Sequence, residues 1–206
     1  QDFKTAEQYY NQAIQLARAN KGRLGEAKGM ANLAGVYIST LRVDDGLVMA
    51  QQALTFFEQG NYLTSAFSCL THMVRGYRRK GDYAAAVKAA NQKLDLARKD
   101  GSGPSIAGAD VELGAVLLDQ ENLPAAQKQY AESLSLYESL NNKLLATYNK
   151  VNLGNILWRL GHYDQAEPLL EETWKTVSDA KDKYQQLVPT VRLYQAQLRL
   201  SQRRFP

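Results

Sequence analysis

The side chains that could do chemistry are few and scattered. Cys69 and His72 lie three residues apart, one turn along a helix, where a thiol and an imidazole could act as nucleophile and base. His162 is far from both in sequence, and neither histidine has further cysteines or acidic residues at the spacing of a zinc site. We therefore predict no enzyme, no metal site and no cofactor, with Cys69 as a packed thiol and His72 lining a groove.

Two other motifs could indicate a site. Gly101-Ser102-Gly103-Pro104 is rich in glycine, but it lacks the Gly-Lys-Ser/Thr of a phosphate-binding loop, so we interpret it as a turn between helices. The basic runs Arg78-Arg79-Lys80 and Arg203-Arg204 lie at a helix end and near the chain end, where cations favour the helix dipole. With a net charge of only +4, the chain gives no indication of a nucleic-acid partner.

The composition describes a folded chain. Of 206 residues, 45% are apolar and 22% are charged, which suits a soluble globular fold rather than disorder. No run of about 18 apolar residues could span a membrane, and the single cysteine excludes an intrachain disulfide. The first residues, Gln1-Asp2-Phe3-Lys4, contain no initiator Met and no signal-peptide pattern. We expect an internal segment of a longer, cytoplasmic protein.

The elements that must position these side chains follow a 40-residue repeat. One column of the repeat, the leucine column, is large and apolar in every copy: Leu33, Met73, Leu113, Leu153 and Leu193. Another, the small column, contains only alanine or glycine: Ala6, Gly46, Ala86, Ala126 and Ala166. Antiparallel helices approach closely where one of them carries so small a side chain. We therefore expect Ala86 and Ala166 to be buried between paired helices.

Each period predicts two helices. The apolar spacing is helical, turns such as Gly60-Asn61 separate the segments, and Asp2, Asp82 and Asn122 are placed to cap helix N-termini. The predicted fold is all-α, a right-handed α-α superhelix (solenoid) of antiparallel helix hairpins with about ten helices. We expect a single array with a lone second helix at 2–20, complete hairpins at about 22–60, 62–100, 102–140 and 142–180, and a trailing first helix at about 184–202.

The last helix carries an irregularity. Pro189 lies inside the trailing helix, where proline removes a backbone hydrogen bond and clashes with the preceding turn. We predict that this helix starts late or kinks, unlike its four counterparts. The end of the chain, Arg203-Arg204-Phe205-Pro206, resembles the start of another second helix.

The repeat resembles the tetratricopeptide repeat, whose signature runs Trp-x2-Leu-Gly-x2-Tyr and then Ala-x3-Phe. One copy here reads Asn152-Leu153-Gly154-Asn155-Ile156-Leu157, continues to Gly161-His162-Tyr163 and ends in Ala166-x3-Leu170. The position of the signature Trp is occupied instead by Met30, Leu70, Asp110, Lys150 and Thr190. The 40-residue period is similar to the longer-helix variant of kinesin light chains and bacterial regulatory proteins. The resemblance covers essentially the whole chain and implies a non-catalytic scaffold.

The resemblance also implies a binding surface. In similar proteins the first helix of each repeat lines the concave surface, and the matching columns here carry seven positive and two negative side chains, a net charge of +5. Asn32 and Asn152 match the column in which family members bond the backbone of an extended peptide. The predicted peptide-binding residues are Lys28, Asn32, His72, Arg75, Arg79, Tyr148, Asn152, Asn155, Trp158, Arg159, Arg192 and Arg199.

The implied partner is a protein or an extended acidic peptide, bound within a larger bacterial signalling or regulatory protein. One alternative is an architectural spacer that self-associates through its open ends. Another is the ligand-sensing domain of a transcription regulator, which would bind a small molecule or signalling peptide. For the predicted site itself, the alternative is a solvated helix face. We expect no membrane partner, and the charge disfavours nucleic acid.

Overall fold

The structure is a computed structural model that describes residues 2–179 and 184–202. Within these residues there is no strand, and the predicted all-α class of helix hairpins is confirmed. A 3₁₀ turn at Gln185–Leu187 precedes the last helix. The helices are α1 (Phe3–Ala19), α2 (Arg23–Ser39), α3 (Val43–Gln59), α4 (Leu63–Lys80), α5 (Tyr83–Asp100), α6 (Gly103–Asp119), α7 (Leu123–Ser139), α8 (Lys143–Arg159), α9 (Tyr163–Asp179) and α10 (Val188–Ser201).

The turns between the first nine helices share one backbone conformation. These helices begin at intervals of 20 residues, and each turn contains one residue with a positive φ angle of 55° to 79°. A left-handed residue just past a helix end lets the chain stop and reverse. The residues in this conformation are Lys21, Leu41, Asn61, Gly81, Gly101, Glu121, Asn141 and Gly161.

Side-chain caps fix where several helices start. Asp2, Asp82 and Asn122 each accept a hydrogen bond from the backbone N–H three residues further on, which confirms the predicted caps. Asn142 caps α8 in the same way. Pro104 lies in the first turn of α6, where its missing N–H costs no helical hydrogen bond.

The chain divides into two compact units, unit 1 (Gln1–Gly101) and unit 2 (Ser102–Pro206). In unit 1 the first helices α2 and α4 pack against each other, and α2 also packs against α1 and α3, while α4 packs against α3 and α5. In unit 2 the first helices are α6, α8 and α10, and the second helices are α7 and α9. Ala86 in unit 1 and Ala166 in unit 2 are both 0% exposed, which confirms the predicted burial of these two residues.

Helix α10 differs from the other first helices. It begins at Val188 and has 14 residues, whereas α1 to α9 have 17 or 18. Pro189 lies in its first turn, so the predicted late start is confirmed.

In α10 the residue of the leucine column is not buried. Leu193 is 54% exposed, while Val191, Gln195 and Leu198 are buried. The physical reason is that α10 packs mainly against α8 and α9, and the face that contains Val191, Gln195 and Leu198 is turned towards these two helices. No other described helix packs extensively on α10.

Some sequence predictions fall outside the described residues. They include the basic pair Arg203-Arg204, the second helix predicted to begin there, and residue 180 at the end of the last predicted hairpin. Among the described helices, none combines the length and the apolar character needed to cross a membrane.

Candidate functional site

The structure divides the predicted binding residues between the two units. Unit 1 holds those on α2 and α4, and unit 2 holds those on α8 and α10. Each set is described by itself. The set in unit 1 is Lys28, Asn32, His72, Arg75 and Arg79, and the set in unit 2 is Tyr148, Asn152, Asn155, Trp158, Arg159, Arg192 and Arg199.

In unit 1 the imidazole of His72 lies directly on Gly35 of α2. A Cβ atom at position 35 would come within 2.7 Å of the ring carbon Cε1 and 2.9 Å of Nε2. Such distances are too short for any real contact, so only glycine leaves room for the ring at this helix crossing. The close approach of α2 and α4 therefore sets the position of His72.

His72 in turn orients Arg75, one turn further along α4. The guanidinium Nη2 lies 3.1 Å from the imidazole Nδ1. Arginine can only donate, so Nδ1 is the acceptor and the ring proton of the neutral histidine is on Nε2. Burial, together with the positive charge of Arg75, lowers the pKa of His72 to about 4. At neutral pH the pair therefore carries a single positive charge, on Arg75.

The lowered pKa predicts a stability that depends on pH. The pKa of His72 is lower in the folded chain than its ordinary value of 6.5, so the unfolded chain binds more protons between these two pH values. The stabilisation is complete above pH 6.5 and is lost as the pH falls towards 4. We expect the titration of His72 to lower the free energy of unfolding by about 1–2 kcal/mol between pH 7 and pH 5.

Urea unfolding at pH 7 and pH 5 measures this effect. The variant His72→Gln retains an acceptor for Arg75 but cannot titrate, so its stability should differ less between the two pH values. An unchanged pH dependence in the variant would exclude His72 as the cause.

Arg79 reaches across to the end of α2. Its Nη1 donates to the backbone carbonyl of Ile38 at 2.8 Å, and the carbonyl of Ser39 is 3.5 Å away. The last carbonyls of a helix lack partners within the helix, and a cation is favourable there. Lys28 and Asn32 are exposed on α2. The structure therefore brings His72, Arg75 and Arg79 together on α4, against the C-terminal half of α2.

In unit 2, bonds to the α10 region hold two of the predicted aromatic side chains. The Tyr148 hydroxyl accepts a hydrogen bond from Nε2 of Gln186. The indole Nε1 of Trp158 donates to Oγ of Ser201 at 2.9 Å. Between them on α8, the Asn152 amide donates to the carbonyl of Tyr148 at 3.2 Å. These bonds fix the aromatic residues, and one donor of Asn152 is used within its own helix.

The predicted arginines of unit 2 are not gathered into one patch. Arg159 forms an ion pair with Glu121 at 2.9 Å. Arg192 stacks on the ring of Trp174 in α9, 3.4 Å from its centroid. Arg199 is exposed near the end of α10. Of these three arginines, Arg159 has its charge compensated by a carboxylate, whereas Arg192 packs on a neutral ring and keeps its charge.

The candidate catalytic residues do not form a reactive pair. Cys69 is 0% exposed, and burial, with a smaller effect of Glu58, raises the pKa of its thiol to about 12. The thiolate needed for nucleophilic attack is therefore absent at neutral pH. The predicted packed thiol is confirmed. Nowhere in the described chain do three or more His, Cys, Asp or Glu side chains form a group that could hold a metal ion.

Sequence reasoning missed Lys150, which it treated only as a departure from the signature Trp. The structure places its ammonium between Glu138 at 3.1 Å and Glu172 at 2.8 Å. The sequence does contain a sign of this role, because Lys150 occupies a repeat column in which unit 1 has the apolar residues Met30 and Leu70.

Comparison with known proteins identifies the repeat. Residues 105–174 match the family model described as Tetratricopeptide repeat. No curated protein sequence matches the chain. Several solved structures share its fold, and the chain spans about half to two thirds of the length of the three described next.

The apo form of RapI has a TM-score of 0.81 at 14% identity, over 88% of this chain and 66% of that one. A Rap protein complexed with competence and sporulation factor has a TM-score of 0.72 at 18% identity, over 97% and 53%. Aspartyl phosphate phosphatase F from Bacillus subtilis has a TM-score of 0.78 at 14% identity, over 94% and 49%. At these identities the likeness shows the fold alone.

Fold and repeat together define a helical repeat scaffold, a class whose helix pairs present extended surfaces for protein–protein interaction. The match over residues 105–174, together with the fold of the whole described chain, supports its resemblance to the tetratricopeptide repeat family. Its 40-residue period and the absence of the signature Trp are the features in which it resembles the longer-helix variant.

Proposed function

We propose that the chain is a non-catalytic scaffold that binds an acidic segment of a protein partner, within a larger cytoplasmic, bacterial signalling or regulatory protein. The observation that carries this proposal is the state of two arginines on α4. Neutral acceptors hold Arg75 and Arg79, namely the His72 ring and the Ile38 carbonyl, in place of carboxylates.

Neutral acceptors fix a guanidinium without cancelling its charge. Neither Arg75 nor Arg79 forms an ion pair with a residue that the structure describes. The Nε donor of Arg75, which is buried, also has no hydrogen-bond partner there. Arginine binds carboxylates through short, charge-assisted hydrogen bonds, and less entropy is lost when the side chain is already ordered. The two arginines lie one turn apart, so one extended acidic segment can meet both.

Other cations of unit 1 are already neutralised. Arg42 pairs with Glu7 at 2.5 Å, and Lys80 pairs with Asp44 at 2.5 Å. An incoming carboxylate would have to displace these partners, but it meets no such competitor at Arg75. This contrast makes the α2–α4 surface the preferred place for an acidic segment.

Unit 2 offers aromatic contact on α8. Tyr148 and Trp158 are half-buried, so each presents part of an aromatic face. Asn155, also half-buried, could bond a peptide backbone with its amide. We propose that these residues offer area and hydrogen bonds to a protein segment bound on unit 2.

Two further observations support the proposal. The Rap protein of the same fold is described in complex with competence and sporulation factor, so this fold accommodates a bound factor in that protein. Another neighbour is named a phosphatase, but the one thiol of this chain is buried, with a pKa of about 12, and is not available as a nucleophile.

Calorimetric titration with pools of acidic and basic peptides tests the proposal. We expect binding of the acidic pool only, and weaker binding at higher salt because exposed charges are screened over about 8 Å at physiological ionic strength. The double variant Arg75→Ala, Arg79→Ala should lose at least tenfold in affinity.

The matched control is Lys88→Ala, Arg98→Ala, which removes the same charge from exposed second-helix positions of unit 1. Its affinity should remain within about twofold of the parent, because non-contacting surface charges act only through screened fields. Equal losses in both double variants, or equal affinity for both peptide pools, would exclude the α2–α4 surface as the site.

A further inference from the structure

A cleft of about 320 Å³ opens in unit 2 between the second helices α7 and α9. The first helix α8 forms its floor with Ala146 and Thr147, and α9 contributes Thr173; all three are buried. None of the twelve predicted peptide-binding residues lines this cleft. It is therefore a feature separate from the surface proposed above.

Lys150 crosses the cleft and is held by two carboxylates. Its ammonium bonds Glu138 on α7 and Glu172 on α9, and only 20% of the lysine side chain is exposed. Burial lowers the pKa of Lys150, but the hydrogen bonds to Glu172 and Glu138 outweigh this effect and raise it above its ordinary value. The lysine is therefore charged, and its third N–H has no partner in the described chain.

The repeat shows why the cleft is open. Unit 1 has large apolar side chains 80 residues earlier: Phe67, Leu70 and Leu96 stand where unit 2 has Thr147, Lys150 and Thr176. The counterpart of Glu138 in unit 1 is Glu58, whose Oε1 accepts a hydrogen bond from Nε2 of Gln92 at 2.8 Å. The groove at that place in unit 1 is lined by residues of α3 and α5 alone and does not reach α4.

The charges of the cleft are balanced. Lys143 and Lys150 carry two positive charges, and Glu138 and Glu172 carry two negative ones. A purely anionic or purely cationic ligand would meet repulsion equal to its attraction. A small molecule with both charges can align its carboxylate with the lysines and its ammonium with the glutamates.

We propose that this cleft binds a small zwitterion of the α-amino acid class. The carboxylate would accept the free N–H of Lys150 and a hydrogen bond from Lys143 at the mouth, both charge-assisted. The ammonium would donate to the oxygens of Glu138 and Glu172 that face away from Lys150. A volume of about 320 Å³ lies at the lower end of ligand-binding pockets, which suits a molecule of this size.

Calorimetry with the 206-residue chain and an equimolar mixture of the twenty α-amino acids tests this proposal. We expect saturable binding, at least tenfold weaker when the same mixture is N-acetylated and at least tenfold weaker when it is converted to methyl esters. Lys150→Met, which keeps the aliphatic stem but removes the donor, should also lose at least tenfold.

A cleft-filling variant separates the cleft from the general surface. Thr176→Leu introduces the residue type of Leu96 and should abolish binding while the thermal melt is retained. The matched control is Thr55→Leu, because both threonines are exposed and donate their hydroxyl to the carbonyl four residues earlier. Absence of saturable binding to the parent chain, equal binding of the capped mixtures, or equal binding by the two leucine variants would overturn the proposal.

Discussion

Replacing Ala166 by glutamate is expected to lower the free energy of unfolding by about 2–5 kcal/mol. Ala166 is 0% exposed and belongs to the cluster that contains Leu157, Leu170 and Leu198. A longer side chain would force the paired helices apart, and its carboxylate would lie among apolar groups with no cation in that cluster to pair with. Overpacking and the loss of hydration therefore act in the same direction.

The neighbouring substitution Gln165→Glu provides the control, since residue 165 is exposed on the same helix. It introduces the same side chain and should change stability by less than about 0.5 kcal/mol. Urea unfolding of both variants measures the difference. Equal stability of the two would show that the small column does not lie between the paired helices.

Gly46→Ala is expected to destabilise the chain by about 1–3 kcal/mol, although alanine is the better helix former. A Cβ atom at position 46 would lie 2.9 Å from the carbonyl oxygen of Ala34 and 2.7 Å from Cγ1 of Ile38. The carbonyl belongs to the backbone of α2 and cannot move without shifting the helix. Steric repulsion therefore outweighs the gain in helix propensity.

Gly25→Ala is the matched control for this prediction. Gly25 is exposed on α2, and an added Cβ would meet only the methyl group of Ala17, at 3.4 Å. This variant should gain up to about 1 kcal/mol from helix propensity. Thermal melts that shift in the same direction for both variants would contradict the close approach of α2 and α3 at Gly46.

The sequence predicts the fold well because the repeat encodes it in local terms. Caps such as Asp82 act over three residues, and the small column recurs at a fixed spacing that any copy can reveal. The prediction fails at Leu193, whose exposure depends on which helices pack around α10. This exposure depends on tertiary packing, which the repeat columns of the sequence do not show.

The effect of proline on a helix is also only partly predictable from the sequence. Pro189 delays α10, as expected, but Pro168 lies inside α9 without ending it. The hydrogen bond lost at Pro168 would have gone to the carbonyl of Asp164, in the exposed first turn of α9, where water can replace it. The sequence alone does not show which helix can absorb this loss.

The candidate site was less predictable than the fold. The sequence placed His72 and Arg75 on one helix face. The packing of the His72 ring on Gly35, however, involves residues of two different helices. Charge counting gave Arg159 and Arg192 the same weight as Arg75, whereas in the structure one is paired with Glu121 and the other stacks on an indole. Pairing and stacking depend on neighbours that are distant in the sequence.

The uniform turns have a consequence for how such a chain can change length. Backbone conformation repeats every 20 residues, but the leucine and small columns repeat every 40. Deleting 20 residues would join two identical turns yet place a first helix where a second helix should pack. Deleting or duplicating 40 residues, from one turn such as Leu41 to its equivalent at Gly81, preserves both the turn and the packing columns. The hairpin is therefore the smallest segment that such a chain can gain or lose while every remaining helix keeps its own kind of neighbour.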